Sequence, residues 1–484
     1  MSNDQIETLE RALAEFRREI AGMDRAGMDL LAIEQRVQEL TNAYGKALME
    51  EVMRRADATE PQITIAGSQW GNRRMTRATY ATIFGDVEIE RSTYQQGGRG
   101  RVAVPLELRL GIVEGAYTPR VARILTKAVA LMPESEAADF LSEVGVAKVS
   151  KSTLHRVPRA MASRYEAQRD VIEKAVREND AIPRQTATVQ VSLDGVMVPQ
   201  DGEHARPRGR KSDDPEPPRH EQRYGPSPIE GPASEDRTAG RSWHEASVGT
   251  LAFFDAEGRR LKTTYLARMP EASKATLVAQ LEQELHAVLA ERPEVDICFA
   301  SDGAPQHWRW LEAIAAQLPR EARGRRMMLV DAYHVFEYVQ LAANAIEGEL
   351  TPEAMVLAAT WRETIREHAE GVSTVLRSMK ARRRKAVTKT AKKELKKAID
   401  YIQHQQSLGR TAYTEARSRN YPIGTGITEA AAKTIVGVRM KRAGARFTQH
   451  GGQTVMLFRA ATLSGRFDSL HRELHGTYTA TVAA

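Results

Sequence analysis

Apolar side chains in the N-terminal region recur at every third or fourth position, which is the spacing of one face of an α-helix. The clearest series is Leu9, Leu13, Phe16, Ile20 and Met23. The pattern predicts a helical region over 1–58, either a hairpin packed on its own chain or a self-associating coiled coil. From Ile63 to about Thr93 apolar and polar residues alternate instead, which predicts a small antiparallel β meander within 59–115.

A second helical pattern, within 116–180, has the cadence of a helix-turn-helix. Gly145 separates two amphipathic stretches, and Ser150 or Ser152 is placed to cap the second helix. His155 and its neighbouring arginines would then point outward. The segment predicts either a DNA-reading motif or two packed helices without contact to a groove, and the cadence alone does not choose between them.

The central part of the chain alternates between strand and helix patterns. Three strands, a helix, a strand, a helix and a strand follow in order, which predicts a mixed α/β core formed by 185–335 together with 422–467. The segment 200–242 contains seven prolines and clustered charges of both signs, so we expect a flexible loop there. An all-helical basic insertion is expected over 336–421, and a C-terminal tail over 468–484.

Composition restricts the class of protein. The chain has 484 residues, enough for about three domains, with 42% hydrophobic and 27% charged residues. A single cysteine, Cys298, excludes a disulfide framework and a cysteine-rich zinc module, and it fits a reducing compartment. No apolar run is long enough to span a membrane, and the acidic start MSNDQIETLERALAEF is unlike a secretory signal.

Positive charge is concentrated late in the chain, whose formal net charge is +7. Between Arg377 and Lys397 there are eleven Lys or Arg and one acid. This run includes Arg382, Arg383, Arg384, Lys385, Lys392, Lys393, Lys396 and Lys397. A second group follows Glu429 and comprises Lys433, Arg439, Lys441, Arg442 and Arg446. Both groups predict contacts with the phosphates of a nucleic acid, although the first could instead be a solvated helix face.

Three carboxylates stand where strands and a helix could bring them together. Asp194 and Asp302 each follow a predicted strand and precede a glycine, and Glu429 lies in the first turn of a late helix. If the two strands are neighbours, these acids would form a site of the oxygen ligands that Mg²⁺ prefers. Each feature is also ordinary by itself, because Asp-Gly is a common turn and the helix dipole favours an acid in a first turn.

Four sequence blocks resemble a known family. They are SLDGV, FASDGA, LVDAYHVFEY and GTGITEAAAKTIVGVRMKRAGARF. Over roughly residues 60–470 the chain is similar to bacterial insertion-sequence transposases of the DDE, RNase H-like superfamily, in the Mutator-like branch and near the ISKra-type group. The resemblance implies an RNase H-like mixed-sheet catalytic core with an all-helical insertion, preceded by the helical region, the β meander and the helix-turn-helix-like segment.

The resemblance also implies roles for individual residues. It assigns a catalytic and metal-binding triad to Asp194, Asp302 and Glu429, and a supporting D-x-x-H motif to Asp331 and His334. Asp331 also ends a predicted strand, so it is a rival to Asp302 as the second metal ligand. His334 could equally be a hydrogen-bonded histidine near a helix start.

The function implied is DNA strand cleavage and strand transfer with two Mg²⁺ ions, or Mn²⁺ in their place. The partners would be double-stranded DNA, as terminal inverted repeats and target, and a second copy of the chain, in the bacterial cytoplasm and without a membrane.

Many relatives carry paired cysteines in the β-rich region; this chain has none there, so no zinc is expected. Two other classes stay open: an inactive or domesticated DNA-binding protein, and a glycoside hydrolase, which the 6% aromatic content disfavours.

Overall fold

A computed structural model describes residues 3–22, 29–97, 100–145, 149–201 and 241–483. These residues fall into two compact units. The first comprises the described residues up to Val176 and from Phe467 onward, and the second those from Arg177 to Arg466. None of the described helices has the length and apolarity needed to cross a membrane.

The first unit begins with the helices and the meander that the sequence predicts. Its elements are α1 (Asn3–Gly22), α2 (Leu30–Ala56), β1 (Ile63–Ile65), β2 (Ser68–Thr82), β3 (Gly85–Gln95) and β4 (Val102–Ala103). All the pairings in this sheet are antiparallel. Met53 of α2 packs against Tyr80 and Ile89 of the meander, so the sheet buries one face under the helix.

Five helices follow in the same part of the chain. They are α3 (Pro105–Leu110), α4 (Pro119–Leu131), α5 (Glu134–Glu143), α6 (Lys151–Ala167) and α7 (Arg169–Glu178). The α5 and α6 helices form the predicted helix-turn-helix-like segment, and Ser150 caps α6 because its Oγ accepts from the Thr153 N–H at 3.2 Å. Residues 146–148 of the connecting turn lie outside the described residues.

The second unit is built on a five-stranded mixed sheet. Its first elements are β5 (Thr188–Asp201), β6 (Arg241–Phe254), β7 (Arg260–Arg268), α8 (Ala275–Glu291), β8 (Asp296–Ser301), α9 (Pro305–Gln317), α10 (Arg320–Arg323) and β9 (Arg326–Val330). The strand order is β7-β6-β5-β8-β9, with β5, β6 and β7 antiparallel and β5, β8 and β9 parallel. The fold is therefore mixed α/β with an RNase H-like core, which confirms the predicted fold class.

The β5 strand is longer than the sequence predicts. Asp194 was expected at the end of this strand, but pairing with β6 continues through Gly195 as far as Asp201. The Asp-Gly pair is therefore not a turn, because both residues keep their partners on β6. Of the predicted flexible loop 200–242, residues 200–201 belong to β5 and 241–242 to β6, and residues 202–240 lie outside the described residues.

Helices complete the second unit. They are α11 (Ala332–Glu347), α12 (Pro352–Glu367), α13 (Gly371–Ala381), α14 (Lys389–Ser407), α15 (Tyr413–Ser418), α16 (Gly426–Ala431), α17 (Val438–Met440) and α18 (Gln449–Leu463). A π-helical segment, Ala432–Gly437, joins α16 to α17, where the sequence predicts one uninterrupted helix. Val335 of α11, Trp361 of α12 and Ile402 of α14 belong to the same buried cluster as Phe299 of β8, so the helical insertion shares a core with the sheet.

The last residues do not form the expected tail. They form α19 (Phe467–Gly476) and β10 (Val482–Ala483), both in the first unit. The β10 strand pairs with β1, with Thr64 opposite Ala483. Phe467, Leu470 and Leu474 are buried, which gives α19 the apolar face that holds it in place.

Candidate metal centre

Asp194 and Asp302 lie side by side at one edge of the mixed sheet. Ser192 of β5 is opposite Ala300 of the parallel strand β8. Asp194 and Asp302 each follow two positions later, so they lie at the same level of the sheet. Oxygens of Asp194 and Asp302 and a ring nitrogen of His307 all lie within 4.8 Å of one another. The sheet therefore brings the first two predicted acids together.

The Asp302 carboxylate is held by its own loop and by α9. Its Oδ1 accepts from the Ala304 N–H at 3.1 Å and from His307 Nδ1 at 3.0 Å. Burial favours the neutral acid, but the hydrogen bonds that the carboxylate accepts from His307 and from the Ala304 N–H outweigh it and hold the pKa of Asp302 below its usual value. Trp308 Nε1 donates to the Asp302 carbonyl oxygen at 2.7 Å, which fixes the backbone as well.

Asp194 has the opposite electrostatic environment. Its Oδ1 accepts from the Gly195 N–H at 2.7 Å. Burial raises the pKa of Asp194, and the nearby negative charge of Asp302 raises it further. Two carboxylates whose mutual repulsion shifts one of them toward the neutral form suit a divalent cation, because the cation would remove that repulsion. The donor set therefore fits Mg²⁺ or Mn²⁺.

Both oxygens of the Asp331 carboxylate accept hydrogen bonds from the surrounding backbone and side chains. It is the N-cap of α11, where Oδ1 accepts from the Tyr333 N–H at 2.7 Å. Its Oδ2 accepts from the Thr425 N–H at 2.9 Å and from the Thr425 hydroxyl. The side chain is 1% exposed, so these bonds fasten the loop before α16 to the end of β9 and leave Asp331 little access to solvent.

Glu429 lies in α16 beside the same edge of the sheet. The preceding residue, Thr428, shares a 2.8 Å hydrogen bond with Thr250, which is opposite Ser192 of β5. Glu429 Oε1 is 3.9 Å from His334 Nδ1, and Asp331 Oδ2 is 3.7 Å from the same nitrogen.

His334 is the cation between these two acids. The Asp331 carboxylate raises the pKa of His334 to about 9, although burial opposes the shift. The raised pKa favours the protonated imidazole, whose charge suits a position between the two carboxylates. The oxygens of Asp331 and Glu429 and a nitrogen of His334 lie within 4.8 Å of one another, so these three residues form a second group that could hold a metal ion.

The two clusters are adjacent. Ser301 of β8 is opposite Val330 of β9, so Asp302 and Asp331 follow the ends of neighbouring parallel strands. The charge of Asp302 also contributes to the raised pKa of His334. Asp302 and Asp331 thus follow the ends of β8 and β9, and each belongs to a different cluster, Asp302 to that of Asp194 and Asp331 to that of Glu429.

The basic run of the insertion passes close to this edge. Tyr401 of α14 is so near Gly303 that a Cβ on the glycine would lie 2.4 Å from its ring. Arg383, Arg384, Lys392 and Lys393 are exposed, whereas Arg382 and Lys385 approach Glu347 at 3.8 and 2.8 Å. Lys397, one turn before Tyr401, lies 5.5 Å from the centre of the Tyr338 ring. The helix that carries the end of the basic run therefore contacts the loop after Asp302.

The basic residues after Glu429 divide into two kinds. Lys433, Lys441 and Arg442 are exposed. Arg446 Nε is 2.6 Å from Asp201 Oδ2, so part of its charge is matched within the chain. The expectation that Arg439 contacts a phosphate is corrected, because its side chain is 2% exposed and faces the interior of the unit.

Sequence reasoning missed three residues of the first cluster. His307 contacts Asp302 directly, and Lys274 and Glu245 contact His307. His307 follows Asp302 by five positions on a predicted helix, a spacing that could have marked it. The sequence carries no comparable sign for Lys274 or Glu245, whose contact depends on the packing of α8 against β6.

No protein-family model and no curated protein matches the chain. Among solved structures, the Drosophila P element transposase strand transfer complex is 10% identical with a TM-score of 0.24, over 74% of this chain and 83% of that one. The Mos1 transposase paired-end complex with the left transposon end is 14% identical with a TM-score of 0.14, over 61% and 80%. The mariner Mos1 paired-end complex with Mg is 13% identical with a TM-score of 0.13, over 61% and 79%. These low TM-scores establish neither a common fold nor a common activity, and the fold class stands on the order and direction of the strands.

Proposed function

We propose that this protein is a DDE transposase that binds the ends of an insertion sequence and carries out metal-dependent cleavage and transfer of DNA strands. The observation that carries the proposal is that Asp194 and Asp302 lie close together where the parallel pairing of β5 and β8 ends, with Glu429 in α16 at the same side of the sheet. The four sequence blocks favour the Mutator-like branch and the ISKra-type group. The exposed cations of the insertion and of the segment after Glu429 support DNA as the substrate.

Asp194, Asp302 and Glu429 would hold the divalent cations. Two Mg²⁺ or Mn²⁺ ions bound there would supply Lewis-acid activation of the attacking oxygen and neutralise charge on the leaving oxygen. We favour Asp302 over Asp331 as the second ligand, because Asp331 is buried and both of its oxygens accept hydrogen bonds, whereas the hydrogen bonds to Asp302 all fall on Oδ1. Asp302 is 31% exposed at the side chain and shares a cluster with Asp194.

The other residues of the centre would orient these acids. His334, charged at neutral pH, would hold the Glu429 carboxylate by an ion pair. Asp331 would hold the loop from which α16 begins, through Thr425.

In the reaction, water attacks the phosphorus at the element end and the 3′ oxygen leaves as a hydroxyl. That hydroxyl then attacks a target phosphodiester, and the displaced oxygen becomes the new 3′ end.

Phosphate contacts would come from the exposed cations on either side of the centre. Arg383, Arg384, Lys392 and Lys393 belong to the insertion, and Lys433, Lys441 and Arg442 follow Glu429. These side chains would hold the DNA backbone without reading its sequence. Pairing of two element ends would require at least a dimer of the chain.

Strand cleavage of the DNA that flanks the reading frame tests the proposal. The full-length chain is incubated with a duplex of each flank and Mg²⁺ or Mn²⁺, and the products are separated on a denaturing gel. Asp194→Asn, Asp302→Asn and Glu429→Gln are expected to reduce cleavage by about 1,000-fold, or about 4 kcal/mol, because each removes a metal ligand. Asp296→Asn, at the opposite end of β8, is the matched control and should cleave normally.

Two results would contradict the proposal. Cleavage by Asp302→Asn at the wild-type rate would remove Asp302 from the triad and favour Asp331. Binding of the flanks without any cleavage, in either metal, would instead identify an inactive DNA-binding protein.

A further inference from the structure

A buried histidine lies directly behind the Asp302 carboxylate. His307 is near the start of α9 and is 3% exposed. Its Nδ1 is 3.0 Å from Asp302 Oδ1, and an ionised carboxylate can only accept, so the proton is on Nδ1 and the imidazole donates. Together with the Ala304 N–H, this bond fixes the position of Oδ1.

The other side of the imidazole contacts an ion pair whose cation, Lys274, is buried. Lys274 Nζ is 3.5 Å from His307 Nε2 and donates to Glu245 Oε1. Glu245 Oε1 is itself 3.8 Å from the same ring nitrogen. With the proton on Nδ1, Nε2 is an acceptor, and the Lys274 ammonium supplies its donor. Lys274 and Glu245 therefore fix both the orientation and the tautomer of His307.

The backbone is strained where it brings Lys274 to this position. Ser273 and Lys274 have φ values of 54° and 50°, in the left-handed region that is costly for residues with a side chain. Lys274 is 6% exposed, and its ammonium lies 5.3 Å from the centre of the Trp310 ring. An apolar residue in the same volume would serve stability as well or better, so strain and a buried cation together indicate a functional role.

The same network explains the glycine after Asp194. A Cβ at Gly195 would lie 2.4 Å from Glu245 Oε1, so only glycine leaves room for the Glu245 side chain. Gln306 Nε2 is 3.4 Å from the other oxygen of Glu245. Glu245 thus contacts the strand that carries Asp194 and the helix that carries His307.

We propose that His307, held by Lys274 and Glu245, is a positioning residue that fixes the Asp302 carboxylate for a divalent cation without being a ligand itself. The inference rests on the proposed function in one respect, namely that Asp302 binds the cation. Hydrogen-bond partners of metal ligands commonly govern metal affinity in this way. His307 cannot both donate from Nδ1 to Asp302 and offer the same nitrogen to a metal, which is why it is assigned to positioning.

The Mn²⁺ affinity of the full-length chain tests this inference without an activity measurement. Isothermal titration of Mn²⁺ into His307→Phe is expected to show an affinity about 10- to 100-fold below that of the wild type, because the ring remains but the donor is lost. His307→Asn should recover most of the affinity, since its amide nitrogen can occupy the position of Nδ1. His286→Phe, an exposed histidine on α8, is the matched control and should bind like the wild type.

A second variant covers the case in which His307→Phe does not fold, as judged by circular dichroism. Lys274→Met removes the donor to Nε2 while filling similar volume, and it should weaken Mn²⁺ binding in the same direction. Unchanged affinity in folded His307→Phe, or in Lys274→Met if the first variant is unfolded, overturns this inference alone. A wild-type chain that binds no Mn²⁺ overturns the proposed cation site and this inference with it.

Pulsed electron paramagnetic resonance on bound Mn²⁺ separates positioning from ligation. A nitrogen bonded directly to Mn²⁺ gives a strong ¹⁴N coupling. The wild type and His307→Asn are expected to have the same ¹⁴N couplings, because His307 is not a ligand. A direct coupling that is present in the wild type and lost in His307→Asn would make His307 a ligand and overturn the inference.

Discussion

Asp331 illustrates how one carboxylate can serve the fold at the edge of a metal site. It caps α11 through the Tyr333 N–H and holds Thr425 through two further hydrogen bonds. Two segments that are distant in the sequence are therefore joined at this side chain. Its loss would leave the buried Thr425 donors without a partner, which costs more than the bonds themselves contribute.

We accordingly expect Asp331→Ala to destabilise the protein. Three hydrogen bonds to a buried carboxylate predict a loss of about 3 kcal/mol in the free energy of unfolding, measured by urea denaturation. Glu337→Ala on the exposed side of α11 is the control and should change stability by less than about 0.5 kcal/mol. Equal unfolding curves for Asp331→Ala and the wild type would show that the three hydrogen bonds do not contribute.

At the residue scale the sequence indicated the acids and, through the Ser-Asp-Gly motif of the resemblance, placed Asp302 ahead of Asp331. Both residues follow a strand, so Asp331 stayed a rival. The two acids differ in their tertiary contacts. Thr425, far along the chain, donates a hydrogen bond to Asp331, whereas His307 contacts Asp302. Contacts of this kind depend on tertiary packing and leave no periodic pattern in the sequence.

The α14 helix combines two faces at the scale of a single element. Leu395, Ala398 and Ile402 are buried against the rest of the unit, while Lys392, Lys393 and Lys396 are exposed. Lys396 is 2.5 Å from Asp400 and is partly neutralised. Lys392 and Lys393 form no ion pair among the described residues, so they are better candidates for phosphate contacts than Lys396.

Removal of these two lysines should lower DNA affinity in a salt-dependent manner. Lys392→Ala combined with Lys393→Ala is expected to make the slope of log K against log salt less steep by about 2, because two counterion-releasing contacts are lost. Fluorescence anisotropy with a labelled duplex at several salt concentrations measures this slope. Arg36→Ala combined with Lys46→Ala, two exposed cations of α2, is the control. An identical slope for the α14 variant and the wild type would exclude these lysines from the interface.

Hydrophobic periodicity in the sequence predicts whether a segment is a helix or a strand more reliably than it predicts where that helix or strand begins and ends. The strands of the mixed sheet and the long helices were predicted, because each buries a regular face. The extent of β5 was not, since Gly195 has the appearance of a turn residue and is instead required by the Glu245 side chain. The β10 strand has two residues and one distant partner strand, so its local pattern was too short to register.

At the scale of the whole molecule, the exposed apolar residues of α2 bear on whether two copies of the chain associate. Leu30, Val37 and Tyr44 are spaced by seven residues and are 67%, 46% and 49% exposed. Leu48, with 42% exposure, continues the same stripe along the helix. An exposed heptad stripe is the pattern by which two identical helices pair in a coiled coil. The chain is therefore expected to self-associate through α2.

Sedimentation velocity on the full-length chain measures this association. The wild type is expected to sediment as a dimer of the 53.8 kDa chain, and Tyr44→Lys combined with Leu48→Lys as a monomer, because two charges would be buried in the seam. Gln35→Lys combined with Glu39→Lys is the matched control. Helical spacing places these two lysines on the opposite side of α2, so this variant should remain a dimer. A wild-type chain that stays monomeric both alone and with DNA would contradict the prediction. Dimerisation that survives the Tyr44 and Leu48 changes would place the contact between copies on another surface.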